Sequence, residues 1–258
     1  MKKQAATVIA VANQKGGVGK TTTAVNLACG IALRNKKVLV VDSDPQGNAS
    51  SVVGIPLANR TKNLYQVLCG DVSASDAIQN TKVKNLFALP AKIDLVAAEL
   101  ELIDKKSRDK FLKKAIKPLL TEFDYIFVDC PASLGLLTVN ALSAADSILI
   151  PMQCEYFALE GLAQLINTVR SVKASFNKNL SFDGLLLTMF DKRNNLSHQV
   201  AGEISNHFGD QVFATRIPRN VRLSECPSHG KTIMEYDMKS SGAQAYRALA
   251  LEFLKRQG

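Results

Sequence analysis

Histidine and cysteine are scarce, three and five in a chain of 258 residues, and neither set is spaced to hold a metal. His198, His207 and His229 follow no ligand spacing, and Cys29, Cys69, Cys130, Cys154 and Cys226 contain no C-x-x-C pair, so buried thiols in a reducing compartment are expected. Apolar runs are also short. None approaches the roughly 20 residues needed to cross a bilayer. The opening Met1-Lys2-Lys3-Gln4 leads into an apolar stretch too short, and too soon broken by Asn13 and Gln14, for a secretory signal. A cytoplasmic location is expected. No internal repeat and no low-complexity linker is present. Acidic residues are in the minority, 23 against 32 Lys and Arg, leaving a net charge of +9. That excess favours a polyanionic partner, nucleic acid or an anionic membrane, without choosing between them. With 47% hydrophobic and 21% charged residues, the composition is that of an ordinary globular protein, and the length suits one α/β domain over 1–258.

The most informative stretch is Gln14-Lys15-Gly16-Gly17-Val18-Gly19-Lys20-Thr21, set between the apolar run Val8 to Ala12 and a helix-like segment, Thr22 to Leu33. Its three glycines free the backbone to curl, so that successive N–H groups can face one concavity at a helix N-terminus and meet phosphate oxygens. Lys20 would set a point charge on the β- and γ-phosphates, and the Thr21 hydroxyl would sit on Mg²⁺. The common phosphate-loop pattern begins with glycine. Here Gln14 takes that place, and a second lysine, Lys15, follows it.

Further apolar runs read as buried strands: Val38 to Val41, Tyr125 to Val128, Ser147 to Pro151 and Leu185 to Met189. Asp42 and Asp44 follow the first and Asp129 ends the second, so all three are expected on one rim of an open parallel sheet, where ligands bind. Asp129 could hold the magnesium's water shell or the attacking water; a strand-end aspartate can also simply cap the next helix. An Asp-Pro pair is likewise a turn former. Together these features predict a doubly wound α/β fold with a mostly parallel sheet and helices on both faces.

The signal weakens from Ser50 to Ala98. Leu64 to Leu68 suggests a short helix, Leu86 to Pro90 a strand and Ile93 to Val96 another extended piece. Glu99 to Leu120 reads as one helix with a basic face, Lys105 to Lys117, either solvated or in contact with nucleic acid. Phe213 to Ile217 is expected to close the strand set. Tyr246, Leu249, Ala250, Phe253 and Leu254 form the apolar stripe of a terminal helix docked on the core.

The run Lys15-Gly16-Gly17-Val18-Gly19-Lys20-Thr21 resembles the deviant Walker A loop of the ParA/MinD ATPases, and Asn13 to Asn26 as a whole resembles ParA (Soj-type) partition proteins. The D-x-D-P-Q-G-N segment at Asp42 and the stretch from Pro218 to Lys231 also resemble that family, which fits nearly the whole chain. The resemblance implies a P-loop ATPase that binds ATP and Mg²⁺ through Lys15, Gly16, Gly17, Val18, Gly19, Lys20, Thr21 and Thr22. Lys15 would reach across a dimer interface to the partner's nucleotide. Asp44 would orient the attacking water, Asp129 would serve the metal with Thr21 and Asp44, and the segment Gln153 to Gly161 would lie near the interface. Met189, Pro218, Arg219 and Asn220 would frame the adenine, while Arg193 and Arg222 match DNA-contacting arginines and otherwise read as solvated or salt-bridged cations. The family usually has two prolines after the Asp129 loop begins; Ala132 departs from this.

By the same resemblance, an ATP-dependent homodimer would bind double-stranded DNA without sequence preference and associate with the nucleoid. A ParB-type partner would stimulate hydrolysis and release. No room is expected for an N-terminal helix-turn-helix domain, and no membrane partner. The alternatives are a MinD-like positioning ATPase, which would need an amphipathic membrane anchor, and a metabolic enzyme or reductase on the same fold, with Cys130 and Cys154 as nominal cluster ligands.

Overall fold

The computed structural model describes residues 5–155 and 158–258. Tyr156 and Phe157, within the segment expected near a dimer interface, lie outside the described residues. Seven strands, β1 (Thr7–Val11), β2 (Val38–Asp42), β3 (Gln79–Asn80), β4 (Leu86–Leu89), β5 (Tyr125–Asp129), β6 (Ser147–Gln153) and β7 (Ser181–Thr188), form one sheet in the order β3-β4-β2-β5-β1-β6-β7. All pairs are parallel except β3 with β4. The helices described are α1 (Lys20–Ala32), α2 (Asn48–Val52), α3 (Leu64–Cys69), α4 (Ala74–Ala77), α5 (Leu95–Glu101), α6 (Phe111–Ile116), α7 (Leu136–Ala144), α8 (Ala158–Ser175), α9 (Asn195–Phe208), α10 (Val221–His229), α11 (Ile233–Tyr236) and α12 (Ser241–Arg256).

The continuous apolar runs of β1, β2 and β5 are explained by burial on both faces. Val8 and Ala10 point into one core with Leu39, Val41, Ile126 and Val128, whereas Ile9 and Val11 point into the other with Val38, Val40 and Phe127. Alternation of period two thus serves two cores at once. The second core is closed by α1 and α12, whose backbones approach so closely that a Cβ on Gly30 would lie 2.9 Å from the Ala250 Cβ. The terminal stripe is confirmed: Tyr246, Leu249, Ala250 and Phe253 are fully buried there and Leu254 packs alongside. Arg34 closes α1 by donating from Nη1 to the Gly30 carbonyl at 2.7 Å, consistent with a cation at a helix C-terminus.

Three expectations are corrected. The helix read from Glu99 to Leu120 is broken into α5, a 3₁₀ turn at Arg108–Lys110, α6 and a second 3₁₀ turn at Lys117–Thr121. Seven consecutive polar residues, Asp104 to Lys110, give a helix nothing to bury, and Ser107 adopts a left-handed φ of 56°. The residues buried on α5 are Leu95 and Ala98, leaving Leu100 exposed. Ile93 to Val96 is a turn leading into α5, with Val96 N–H bonded to the Ile93 carbonyl at 3.1 Å. Phe213 to Ile217 is not a continuous strand: its two ends bond β7, Phe213 N–H to the Leu185 carbonyl and Ile217 N–H to the Leu187 carbonyl, both at 2.9 Å, and the ladder amounts to isolated bridges at Val212 and Pro218. The Glu252 carboxylate of α12 takes the amides of Ala214 and Thr215 at 2.7 and 2.8 Å, and so competes with any ladder there.

Asp183 on β7 accepts from Gln257 Nε2 at 2.8 Å through one oxygen, while its other oxygen is buried without a partner. Burial pushes its carboxyl up to about 6. A carboxyl raised in the folded state favours folding while protonated, so this contribution is full below pH ~4 and is lost as pH rises through about 6. The wild type is expected to lose on the order of 2 kcal/mol over this window that Asp183→Asn does not lose. Thermal melts of both proteins from pH 4 to 8 check this; parallel curves would refute it.

Candidate functional site

The chain leaves β1 at Val11, and the loop 13–19 carries it into α1. Side chains from the ends of β6 and β7 hold this loop. Thr188 Oγ1 bonds the Val18 carbonyl at 2.8 Å, Gln153 Nε2 bonds the Gly17 carbonyl at 3.0 Å, and Asn13 Nδ2 anchors to the Pro151 carbonyl at 2.8 Å. With those carbonyls taken by the sheet, the loop's amides are left for an anion at the start of α1. Gly17 and Gly19 sit at φ 73° and 87°, conformations that side chains rarely adopt. The concavity is open: a Cβ built on Gly16 or Gly17 would meet nothing within 4 Å.

Lys20 lies in the first turn of α1, almost buried, with Nζ donating to the Lys15 carbonyl at 3.1 Å. Burial lowers its pKa, against the pull of Asp129 and Asp44. The Lys15 side chain goes the other way, out to a half-exposed ion pair with Glu155. The two lysines therefore do different things. One is held inside the loop, and the other is presented outward beyond β6.

Register places the carboxylates. Asp42 and Asp129 are direct neighbours across β2 and β5, and Asp129 is level with Val11 on β1. Asp42 is occupied: it accepts the Ser50 amide at 2.7 Å and the Ser50 hydroxyl at 2.6 Å. Burial still raises it to about 6, with the Ser50 bonds opposing. Asp129 is fully buried, and among the described residues neither oxygen is in a full hydrogen bond, although the Thr21 hydroxyl and Lys20 lie near enough to favour its charged form. Its carboxyl is pushed well up by burial and by the neighbouring Asp42, with the Thr21 hydroxyl favouring the charged form. Asp44 is half-exposed on the same rim and accepts the Gln46 amide at 2.9 Å. An orphaned carboxylate beside Lys20 and Thr21, below an open cradle, fits a magnesium-bound phosphate: hard oxygen donors from Thr21, Asp129 and Asp44 suit Mg²⁺, which uses few protein ligands when phosphates supply the rest.

Next to the loop lies a cavity of about 440 Å³ whose lining includes Gly19, Thr22, Met189, Pro218, Arg219 and Asn220. The structure thus brings the four residues expected around the base together with the end of the phosphate loop. Met189 takes a left-handed φ of 49° at the end of β7, and Phe190 N–H bonds the Ile217 carbonyl at 2.9 Å, holding 217–220 alongside. Sequence reading missed Thr188, Gln153, Glu155 and Tyr246 as parts of this site. Their positions follow from pairing across the sheet and from α12, so only the strand-end location of Thr188 and Gln153 gave a local signal.

The two arginines expected to meet DNA are on the surface and already have partners. Arg193 forms a two-pronged bond to Asp191, at 3.1 and 3.0 Å, and this holds the Asp191 carboxyl down at about 2. Arg222 on α10 pairs with Glu225 at 3.0 Å and lies 3.7 Å from Asp237.

The sheet, the glycine-rich loop opening α1 and the rim of Lys20, Asp44 and Asp129 define a nucleotide-binding α/β protein of the phosphate-loop class. A family model described as an AAA domain matches residues 6–182. The chain is 54% identical over 245 residues to the sporulation initiation inhibitor protein Soj of Bacillus subtilis, covering 95% of this chain and 97% of that one. It is 52% identical over 249 residues to the chromosome partitioning protein ParA of Myxococcus xanthus, covering 96% and 88%. It belongs to the ParA/Soj family of chromosome-partitioning ATPases. Among solved structures, that of cobyrinic acid a,c-diamide synthase from Mycobacterium smegmatis with bound ATP analogue and magnesium matches with a TM-score of 0.86 at 36% identity, covering 98% of this chain and 96% of that one. The same scaffold therefore carries differently named chemistries.

The unpartnered oxygens of Asp129 give a test free of any ligand. Burial and the neighbouring Asp42 disfavour this carboxyl more than Thr21 and Lys20 favour it, so Asp129→Asn is expected to raise Tm of the nucleotide-free protein by a few degrees. A fall measured by calorimetry would show that the carboxylate has a stabilising partner.

Proposed function

We propose that residues 1–258 act as one ATP-driven switch for DNA segregation. ATP with Mg²⁺ would drive two copies face to face, the dimer would hold DNA without reading its sequence, and a ParB-type partner would stimulate hydrolysis and release. The observation that carries this reading is the division of labour between two lysines, Lys20 held in the loop and Lys15 presented away from it. A loop that served only its own nucleotide would have no use for an outward lysine five residues ahead of the first.

Bound Mg·ATP supplies the transferable phosphoryl group and the metal that neutralises charge on it. The chain's own part is positional and electrostatic. The amides of 16–21 cradle the phosphates, with Thr22 beside them and Lys20 adding a buried positive charge. Thr21 and Asp129 would hold the metal and its water shell. Asp44, half-exposed on the rim, would orient the attacking water. Met189, Pro218, Arg219 and Asn220 form the wall for the base. A dimer doubles the cationic surface offered to phosphates, so a ligand that favours the dimer favours DNA through Arg193 and Arg222 as well. This suits a nucleoid-associated protein with a charge of +9. The membrane-positioning alternative draws less support, because the apolar stripe of α12 is engaged against α1.

Retention of a random-sequence duplex, measured with ATP, with ADP and without nucleotide at several salt concentrations, tests the proposal. Binding is expected with ATP only, falling steeply with salt as the entropy gained by releasing counterions shrinks, and lost in Lys20→Ala. Arg222→Glu should weaken retention while leaving ATP affinity within about twofold, since a single exposed charge is changed. Equal binding in all nucleotide states, or none, would overturn the switch.

A further inference from the structure

Outside the nucleotide-facing residues, the most constrained side chain near the site is Arg60. It lies in the connection after α2 and is 4% exposed. Its guanidinium makes five hydrogen bonds: Nη1 to the carbonyls of Gly47 (3.0 Å) and Ala91 (3.1 Å), Nη2 to Ser51 Oγ (2.7 Å) and the Ile55 carbonyl (2.8 Å), and Nε to the same Ile55 carbonyl (3.1 Å). The bonds tie together both ends of α2, at Gly47 and at Ser51 and Ile55, and the chain just beyond β4 at Ala91. Gly47 donates its amide to the Asp44 carbonyl at 2.9 Å, and its own carbonyl also accepts the Ser51 hydroxyl at 3.1 Å. Gly47 takes a φ of 65°, and a Cβ there would collide with Arg60 Nη1 and the Ala91 carbonyl, so the loop has been shaped around the guanidinium.

We infer that Arg60 is a positioning residue for ATP hydrolysis, acting through the Asp44–Gly47 loop; this rests on the proposed role of Asp44 in orienting water. Asp44 is half-exposed; its side chain accepts only the local Gln46 amide among the bonds described, and its backbone N–H reaches the buried Asp42 Oδ1 at 3.3 Å. Ser43 N–H on the Asp129 carbonyl (3.0 Å) and Asp44 N–H on Asp42 hold the start of the loop to the strand ends, and the planar fork holds its far end, joining Gly47 to Ala91 just beyond β4. Ser50 ties the same two places together, accepting the Ala91 amide at 3.0 Å while donating to Asp42 at 2.6 Å. The charge of Arg60 does not reach the reacting phosphate in this scheme. Its geometry does the positioning, and a lysine, a point charge without the fork, cannot reproduce that geometry. Small misplacement of a water-orienting group is enough to slow a reaction by orders of magnitude.

Arg60→Lys, Arg60→Ala and Asp44→Ala are to be compared with the wild type for ATP affinity, steady-state hydrolysis and amide exchange of the nucleotide-free protein. Arg60→Lys is expected to lower kcat by about tenfold or more, with KM and ATP affinity within about twofold. Amides of 47–51 should exchange faster in the absence of nucleotide, while those of α12 keep wild-type rates. Guanidinium chloride at tens of millimolar, far below denaturing concentration, should restore part of the activity of Arg60→Ala, whose position borders a surface cavity of about 450 Å³; urea should not. Wild-type kcat in Arg60→Lys beside an inert Asp44→Ala would overturn the role of Arg60 alone. Unchanged exchange at 47–51, or parallel loss of kcat and ATP affinity without guanidinium rescue, would also overturn it. An Asp44→Ala variant that hydrolyses ATP at the wild-type rate would overturn the reading of the site and this inference with it.

Discussion

The in-register pairing of β1, β2 and β5 is the constraint on which the rest depends. Because these strands run parallel and level, Val11, Asp42 and Asp129 end at the same height, and each chain segment that leaves them does so over the same rim. A slip of one residue would turn every side chain on the strand to the other face. It would set Val8 and Ile9 against the wrong cores and move Asp129 off the rim. Both cores therefore protect the site's geometry although most of their residues lie far from it.

The rim is also where the molecule departs from what stability alone would favour. Asp129 is a buried carboxyl with neither oxygen in a full hydrogen bond, Lys20 is an ammonium held where water is scarce, and Met189 sits at a left-handed φ that side chains other than glycine rarely adopt. These are separate unfavourable features brought to one place. The α1–α12 packing, the buried Tyr246 and the ladders on both sides over-determine the backbone enough to keep them there.

Much of this was legible in the sequence. β5 and the phosphate loop lie where the apolar runs and glycines indicated, and the four residues expected around a base do line one cavity. Local pattern sufficed because a strand buried on both faces and a loop needing glycine leave strong traces in composition. The rest was lost for physical reasons. The long helix from Glu99 failed since helical spacing of Leu100 and Ile103 said nothing of whether a core lay opposite them; none did, and both are exposed. Phe213 to Ile217 had strand composition, but a carboxylate from α12, nearly forty residues on, claimed two of its amides. Arg60 carried no local signature at all, because its acceptors are backbone carbonyls, which every residue has.

The partnered state of the surface arginines has a consequence for how such a protein would let go of a polyanion. Arg222 already faces Glu225 and Asp237, and Arg193 already grips Asp191. A phosphate oxygen engaging either one would share a guanidinium that a carboxylate already partly satisfies, so each contact would add less than one to an unpaired arginine. A hold assembled from such contacts is strong only while many act together. Its strength would then follow the number of such contacts made at once rather than the quality of any one, so a change that halves their number would cost far more than half the hold.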